Sequence, residues 1–313
     1  MRAFAIDGFG EAGSIRELPD PIPGKGEVLV RVKAAGVSTT DIAVMAGALK
    51  DYLEHMFPLV PGIDASGVVD GIGPGVDGYR EGDEVYGFVQ RPVMGLGTWA
   101  ELVALPVGGI VRKPATFSHE QTAVIAHCAL TATAAMDAAA VGPGDRLVVL
   151  GATGGVGSYA TQLAKMADIH EIAVTRGDYA EYARALGAAE VIDYTATGAI
   201  EAVREAHPEG IDALIDLVGI PELSLGFAEL VQRGGRVVSA IMAPDVERLS
   251  ARGVEGILAN RMLAEGRFPE IASRIASEMR IPALQTFAFD DIGAAIKLQA
   301  TRHVMGKLAV VLG

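Results

Sequence analysis

A glycine-rich turn lies between a short apolar run and a helix-forming segment, and this arrangement limits the folds that the chain can adopt. Residues 147–150 read Leu-Val-Val-Leu, which is typical of a buried parallel strand. Residues 151–157 read Gly-Ala-Thr-Gly-Gly-Val-Gly, and residues 158–165 have helix-forming composition. Such a turn lets the backbone approach a pyrophosphate, and the helix N-terminus offers it unpaired N–H groups. The sequence therefore predicts a dinucleotide-binding unit; the alternative is a glycine-rich loop without a ligand.

Strand-like and helix-like segments alternate from this turn onwards. We expect strands over 147–150, 171–175, 190–193, 211–217 and 235–241, and helices over 155–167, 178–186, 198–206 and 221–231. This alternation with short connections predicts a doubly wound parallel sheet and an α/β fold class.

The first third of the chain has a different character. Strand-like segments at 28–32, 65–72 and 84–89 are separated by Pro/Gly clusters, which predicts a compact barrel or sandwich. Near Ser118 the pattern changes, because Ser118 and Gln121 have the spacing of a capping box that would open an Ala-rich helix. From about Ile281 the chain is again strand-like, and we expect it to return to the first unit.

Charge and cysteine content exclude several classes of protein. The chain of 313 residues has 26 Lys and Arg against 39 Asp and Glu, a net charge of −13 that disfavours a nucleic-acid or anionic-membrane partner. Cys128 is the single cysteine, so an intrachain disulfide and a four-cysteine zinc site are impossible.

Polar residues interrupt the most apolar stretch, 122–142, which predicts a buried helix instead of a membrane span. With no apolar signal core at the N-terminus, we expect a cytoplasmic protein.

The end of the second predicted strand indicates which nicotinamide cofactor is bound. An acidic residue at this place accepts hydrogen bonds from the 2′-hydroxyl of NADH. Here the chain has Thr175 and Arg176, and an arginine can pair with the 2′-phosphate of NADPH through two charged hydrogen bonds. The sequence therefore favours NADPH; the alternative is that Arg176 is a surface residue paired with Asp178.

Several motifs together resemble one family. They are Ala35-Gly-Val-Ser-Thr-Thr-Asp41, Pro61-Gly-Ile-Asp-Ala-Ser-Gly-Val-Val69, Gly82-Asp-Glu-Val85, Gly97-Thr-Trp-Ala-Glu101, Gly151-Ala-Thr-Gly-Gly-Val-Gly157, Leu186-Gly-Ala-Ala-Glu-Val-Ile-Asp-Tyr194, Gly234-Gly-Arg-Val-Val238 and Gly306-Lys307. Over nearly its whole length the chain resembles the zinc-independent quinone oxidoreductase branch of the medium-chain dehydrogenase/reductases, the zeta-crystallin-like proteins.

The resemblance implies two domains and their boundaries. A GroES-like β-barrel catalytic domain would comprise residues 1–119, completed by 265–313, and a Rossmann dinucleotide-binding domain would comprise 120–264. It implies an active site in the cleft between the domains. It also implies a homodimer, often paired edge to edge through the nucleotide-binding sheets.

The resemblance further implies that no metal is bound. The zinc-dependent branch has a Cys where Ser38 stands, a His-Glu pair at Ile63 and Asp64, and a third ligand near His127. Isoleucine has no donor atom and a neutral serine is a poor ligand, so we expect no catalytic zinc and no other metal. His127 and Cys128 are then interpreted as residues that pack in a helix or line the cleft.

The cofactor-binding residues follow from the resemblance position by position. They are Ala152, Thr153, Gly154, Gly155 and Val156 in the turn, Thr175 and Arg176, Tyr194 for the phosphate, and Thr131, Val218, Ala240 and Ile241 around the nicotinamide and its ribose. The family often uses a Lys for the 2′-phosphate where this chain has Tyr179, so Arg176 is expected to replace it.

The expected reaction is transfer of a hydride from NADPH to a quinone or another α,β-unsaturated carbonyl compound. The candidates for the catalytic proton donor are Ser38, where quinone reductases usually have Asn, and Tyr52. Met45, Met56, Phe57, Met94 and Met242 suggest a small-molecule substrate that is apolar or planar, although such residues are more often plain core.

Other functions stay open. A short-chain dehydrogenase is excluded, because Tyr159, Tyr179, Tyr182 and Tyr194 are not followed by Lys four residues later. The alternatives are an enoyl reductase acting on a thioester or natural-product enone and, from another class, an NADPH-binding redox sensor or structural protein with little turnover.

Overall fold

The computed structural model describes residues 1–91, 93–196 and 198–313. Its strands are β1 (Arg2–Ala5), β2 (Ser14–Glu17), β3 (Glu27–Val37), β4 (Glu54–Val60), β5 (Asp64–Ile72), β6 (Glu84–Phe88), β7 (Val93–Leu96), β8 (Leu102–Pro106), β9 (Ile110–Arg112), β10 (Arg146–Leu150), β11 (His170–Thr175), β12 (Glu190–Asp193), β13 (Ile211–Asp216), β14 (Val231–Ser239), β15 (Glu255–Leu258), β16 (Leu284–Ala288) and β17 (Lys307–Val311). Its α-helices are α1 (Thr39–Met45), α2 (His119–Thr122), α3 (Ala126–Ala139), α4 (Gly155–Met166), α5 (Ala180–Leu186), α6 (Ala199–Ala206), α7 (Pro221–Ala228), α8 (Val246–Ala251), α9 (Phe268–Glu278) and α10 (Ile292–Ala300).

The chain forms two compact units. The first comprises residues 1–127 together with 266–313, and the second comprises residues 128–265. The resemblance implies a first boundary between residues 119 and 120, close to the capping box. In the structure the division falls after residue 127, inside α3, so the first two residues of this helix belong to the first unit and the others to the second.

The first unit is built on a mixed sheet that contains both ends of the chain. Its strand order is β16-β17-β3-β5-β6-β9, and β8 also pairs with β3. β16 and β17 are parallel, whereas the other pairs on this path are antiparallel. β17 pairs with β3 through Val310 and Ala35, so the C-terminal strands return to the first unit as expected.

The core of the first unit is centred on a buried tryptophan. Trp99 has no exposed surface, and its indole N–H donates to the carbonyl of Gly36 at 2.9 Å. Phe4 packs edge-on against it, with ring centroids 5.7 Å apart. The apolar rings therefore bury a large area, and the one polar atom of the indole has a partner.

The second unit is a parallel six-stranded sheet with the order β12-β11-β10-β13-β14-β15. Numbered from β10, this is the order 3-2-1-4-5-6 of a doubly wound dinucleotide-binding fold. The strand order reverses between β10 and β13, which is where such folds bind their ligands. The α/β class and the parallel sheet predicted from the sequence are confirmed.

The predicted helix after Ser118 is present, but it is interrupted. The capping box is confirmed, because the side chains of Ser118 and Gln121 each accept the backbone N–H of the other residue. The helical stretch 119–139 is long and apolar enough for a membrane span, with a mean hydropathy of 1.2, but 78% of its most apolar window is buried inside the protein. It therefore has the environment of a core helix.

Candidate functional site

The glycine turn after β10 has a backbone that requires its glycines. Gly151 has a φ of +81°, a conformation that side chains with a Cβ rarely adopt. A Cβ on Gly157 would lie 2.2 Å from the carbonyl oxygen of Gly151, so α4 packs directly against the turn. α4 begins after Gly154, and no side chain caps it. Its first N–H groups are therefore available to an anionic ligand.

The connections after β10, β11 and β12 meet at the same edge of the sheet. The hydroxyls of Thr153 and Thr175 are 2.5 Å apart, and both side chains are buried. The N–H of Tyr194 donates to the carbonyl of Thr175 at 3.1 Å. The glycine turn, the end of β11 and the predicted phosphate-contacting tyrosine are thus brought together.

The connections after β13 and β14 continue this edge on the other side of the turn. Asp216, at the end of β13, accepts the backbone N–H groups of Val218 and Gly219, both at 2.9 Å, and the hydroxyl of Ser224 at 2.6 Å. The N–H of Ala240 donates to the carbonyl of Asp216 at 3.0 Å. Asp216 therefore holds the backbone expected to line the nicotinamide ribose, a role that the sequence analysis did not assign.

Most of the predicted cofactor residues share this edge. These are Ala152, Thr153, Gly154, Gly155, Val156, Thr175, Arg176, Tyr194, Val218, Ala240 and Ile241, which lie at the carboxyl ends of parallel strands, in the connections that follow them or in the first turn of α4. Thr131 is separate from them in the chain, on α3, where its side chain is 5% exposed. Their contact with a cofactor stays a prediction.

The surroundings of Arg176 contain groups suited to NADPH and groups suited to NADH. Its guanidinium is 3.3 Å from the carboxylate of Asp178, and 36% of its side chain is exposed. Asp193, the last residue of β12, is a second carboxylate nearby: hydrogen bonds from Thr195 and the charge of Arg176 hold its pKa below the usual range. An arginine suited to a 2′-phosphate thus lies beside carboxylates suited to free ribose hydroxyls.

Ser38 belongs to a buried polar network at the start of α1. Its hydroxyl donates to the carboxylate of Asp41 at 2.7 Å, and its backbone N–H donates to the same oxygen at 2.7 Å. Burial raises the pKa of Asp41 to about 6, against the lowering effects of the Ser38 hydrogen bond and the charge of Lys307. The ammonium group of Lys307 donates to the carbonyl of Val37 at 2.9 Å. The hydroxyl predicted to supply a proton therefore already faces a group that titrates near neutral pH.

Tyr52 has a different environment. It follows α1 in a turn, where its N–H donates to the carbonyl of Leu49 at 3.1 Å, and the residue is 82% exposed. Such exposure makes it a surface residue and not a packing residue of the loop. The contacts described for it do not connect it with Ser38, and its catalytic role stays a prediction.

The residues at the family's zinc positions do not fit a metal. Ile63 is buried and has no donor atom. Both carboxylate oxygens of Asp64 accept the backbone N–H of His127, at 3.0 and 3.1 Å, so this carboxylate caps the start of α3. The hydroxyl of Ser38 is bonded to Asp41. Ile63 thus offers no donor atom, and the oxygens of Ser38 and Asp64 are already hydrogen-bonded, so these positions do not provide the set of ligands that zinc requires.

A serine, histidine and glutamate in the first unit have the order of a hydrolytic triad. The hydroxyl of Ser66 is 2.7 Å from Nδ1 of His119, whose Nε2 is 3.2 Å from Glu84. However, Ser66 has no exposed surface, and its hydroxyl donates to the carbonyl of Val85 at 3.1 Å. A nucleophile must reach its substrate, so this network connects α2 to the sheet instead of catalysing hydrolysis.

Comparison with known proteins places both units in one family. Residues 24–115 match the alcohol dehydrogenase GroES-like domain, and residues 155–254 match the zinc-binding dehydrogenase domain. The chain is 32% identical over 261 residues to the chloroplastic quinone-oxidoreductase QR1 of Triphysaria versicolor, covering 80% of this chain and 78% of the relative. It is 28% identical to the 2-methylene-furan-3-one reductase of Solanum lycopersicum, covering 99% of this chain and 79% of the relative. The structure of the quinone oxidoreductase from Coxiella burnetii superposes with a TM-score of 0.89 at 26% identity, over 100% of this chain and 99% of that one.

Proposed function

Because the chain belongs to the quinone oxidoreductase branch of the medium-chain dehydrogenase/reductases, we propose that this NAD(P)H-dependent oxidoreductase uses NADPH to reduce quinones or other α,β-unsaturated carbonyl compounds without a metal. The relatives support a nicotinamide-dependent oxidoreductase. The single observation that carries the proposal beyond them is Arg176, which directly follows β11 at the carboxyl edge of the sheet, the edge that also holds the uncapped N-terminus of α4.

The residues of the sheet edge would bind and orient the cofactor. The first N–H groups of α4 would bind the pyrophosphate, and Arg176 would leave Asp178 to pair with the 2′-phosphate. Thr131, Val218, Ala240 and Ile241 would surround the nicotinamide and its ribose. When bound, NADPH supplies the hydride, so the protein has to supply orientation and exclude water.

The proposed acceptors need little help from acidic groups. A quinone or an enone polarises its own double bond through a conjugated carbonyl, so neither a metal nor a strong acid is required for hydride addition. A reaction that needs no metal agrees with the residues Ser38, Ile63 and Asp64, which are poor metal ligands here. A proton is still needed to complete the reduction, and Ser38 with Asp41 behind it is the better-supported source.

Reduction of an enone is the second candidate, favoured by one relative. The name 2-methylene-furan-3-one describes a carbon–carbon double bond conjugated with a ketone, and the reductase that acts on it matches 99% of this chain. An enoyl reductase and a quinone reductase would use the same cofactor residues and differ in the residues that contact the acceptor.

The test is a binding titration followed by an acceptor panel. NADPH and NADH are titrated into the purified protein with nicotinamide fluorescence as the signal, and NADPH oxidation is then measured with a benzoquinone and with a crotonyl-type enone. We expect tighter binding of NADPH and turnover of the quinone. Turnover of the enone alone would assign the protein as an enone reductase. Tight binding without turnover of either would support a redox sensor, and binding of neither cofactor would refute the proposal.

A further inference from the structure

Two histidines and a glutamate meet at the amino-terminal edge of the nucleotide-binding sheet. His170 is the first residue of β11, Glu190 is the first residue of β12, and His207 directly follows α6. Nε2 of His170 is 2.5 Å from a carboxylate oxygen of Glu190, and Nε2 of His207 is 3.1 Å from the same oxygen. The sequence pattern alone indicates no role for these three residues.

The backbone holds the three residues in place. β11 and β12 are parallel neighbours with Ile172 opposite Glu190, which puts His170 just before the start of β12. The N–H of His170 donates to the carbonyl of Asp145 at 2.9 Å. The N–H of His207 donates to the carbonyl of Val203, also at 2.9 Å. The arrangement is therefore set by the sheet and by the end of α6, not by flexible side chains alone.

The three side chains form a suitable donor set for a metal ion. One ligand atom from each lies within 4.8 Å of the others. Neutral imidazole nitrogens and a carboxylate are ligands of zinc at about 2.0–2.2 Å, and two histidines with one glutamate leave a fourth position for water. Small rotations of the rings would open the space that the ion needs.

The cluster is also accessible to a cation. The side chains of His170, Glu190 and His207 are 40%, 32% and 12% exposed, so an ion can reach them from solvent.

We propose that His170, Glu190 and His207 form a zinc site. The site is distinct from the family's catalytic zinc position around Ser38, Ile63 and Asp64. It lies at the amino ends of strands whose carboxyl ends face the predicted cofactor residues, so its expected role is to stabilise this edge of the sheet and not to take part in hydride transfer. β11 has six residues, which separates the two edges by roughly 16 Å at about 3.3 Å per residue. A bound ion would tie α6 and the edge strand β12 to β11.

The test uses the untagged protein, freed of metal with a chelator and dialysed. Zinc binding is measured by calorimetry, thermal unfolding is recorded with and without zinc, and cobalt(II) is added as a spectroscopic probe of a tetrahedral site. We expect a single ion to bind per chain, visible cobalt bands, and a rise in Tm of roughly 3 °C or more at saturating zinc.

The variants His170→Gln and His207→Gln identify the ligands. Each should weaken zinc binding by about tenfold or more and abolish the rise in Tm. Glutamine keeps a hydrogen-bonding side chain beside Glu190, so these variants should fold, as circular dichroism of the metal-free protein will report. The control is His303→Gln, an exposed histidine in the other unit, which should bind zinc like the wild type.

The outcomes separate clearly. Absence of zinc binding by the wild type, or unchanged binding by both glutamine variants, would overturn the proposal. Equal loss in His303→Gln would also contradict it, because that residue lies outside the cluster. The measurements do not depend on turnover, so the zinc site can be refuted or supported whatever the acceptor panel reveals.

Discussion

At the scale of single residues, we expect cofactor choice to depend on the guanidinium of Arg176 and the carboxylates beside it. Arg176→Ala should weaken NADPH binding roughly tenfold or more, since a charge-assisted pair contributes about 1.5–3 kcal/mol, and should leave NADH binding nearly unchanged. Asp178→Ala should strengthen NADPH binding, because it frees the guanidinium from the carboxylate 3.3 Å away. Fluorescence titration of both cofactors measures these effects.

The matched control for Arg176 is Arg184→Ala, which removes an exposed arginine of α5 away from the end of β11. It should change neither affinity. If Arg176→Ala weakens NADPH and NADH equally, Arg176 does not recognise the 2′-phosphate, and Asp193 becomes the residue that selects the ribose.

A second prediction at this scale concerns the proton that completes the reduction. Burial raises the pKa of Asp41 to about 6, so its carboxyl group is protonated at lower pH and can return a proton to the Ser38 hydroxyl. We expect kcat to rise as the pH falls through about 6 in the wild type. Ser38→Ala should lower kcat and remove this pH dependence.

The chain offers a matched control for this prediction. Ser118→Ala removes a second helix-capping serine, and both substitutions should cost about 1 kcal/mol of stability. Only Ser38→Ala should change the pH profile of kcat. The same pH profile in Ser38→Ala and the wild type would exclude the relay and leave water as the proton source.

At the scale of elements, a buried glutamate connects β11 to α4. Glu171 is 1% exposed, and one of its carboxylate oxygens accepts the hydroxyl of Thr161 at 2.8 Å. Burial raises its pKa to about 8, despite the opposing effect of this hydrogen bond. The folded state therefore keeps a proton that the unfolded chain releases near pH 4.5, and the resulting stability is present below that pH and lost as the pH rises through 8.

Glu171→Gln should remove this loss because an amide does not ionise. We expect the variant to gain about 2–5 kcal/mol over the wild type at pH 8, at about 1.4 kcal/mol per pKa unit, and much less near pH 4.5. Urea unfolding at a series of pH values measures the difference. Glu181→Gln, on the exposed side of α5, is the control. Parallel stability curves for Glu171→Gln and the wild type would contradict an uncharged Glu171.

The helices and strands of the second unit were predictable because the pattern of apolar residues in each segment matches its burial in the fold. Buried parallel strands such as β10 are uninterrupted apolar runs, and the glycines of the turn have geometry that other residues rarely adopt. Gly177–Tyr179 instead forms a short 3₁₀ turn, which delays α5 to residue 180, a choice that composition does not reveal. The cluster of His170, Glu190 and His207 was also invisible, because only the register of β11 and β12 and the end of α6 bring these residues together.

The placement of the predicted cofactor residues could be expected to the same extent. Positions at the carboxyl ends of parallel strands meet by topology alone, so the predicted cofactor residues from Thr153 to Ile241 could be grouped before the fold was known. Their contact with a cofactor stays a prediction. The hydrogen-bonding and charged partners of these residues could not be predicted from the sequence. Asp216 and Asp193 contact backbone and side chains that the chain brings close only when the sheet forms.

At the scale of the whole molecule, we propose a homodimer formed through β15. This strand is at the edge of the nucleotide-binding sheet, and within the described ranges no further strand pairs with its outer side. Large apolar side chains are exposed on it and just after it: Leu258 is 46% exposed, Met262 71% and Leu263 66%. An open strand edge with apolar neighbours is a surface that proteins usually cover.

A second copy of this chain would cover this edge. Isologous pairing brings the same strand from two copies together, which satisfies the backbone groups of both edges and buries Leu258 and Leu263 of both chains. The wild type should then elute with a light-scattering mass near 65 kDa, twice the 32.5 kDa of one chain.

Leu258→Lys combined with Leu263→Lys should give monomers, because each dimer would bury four added charges. Ile22→Lys, at a residue 89% exposed in the other unit, should leave the dimer intact. A monomeric wild type, or a double variant that stays dimeric, would show that the edge of β15 is not the interface.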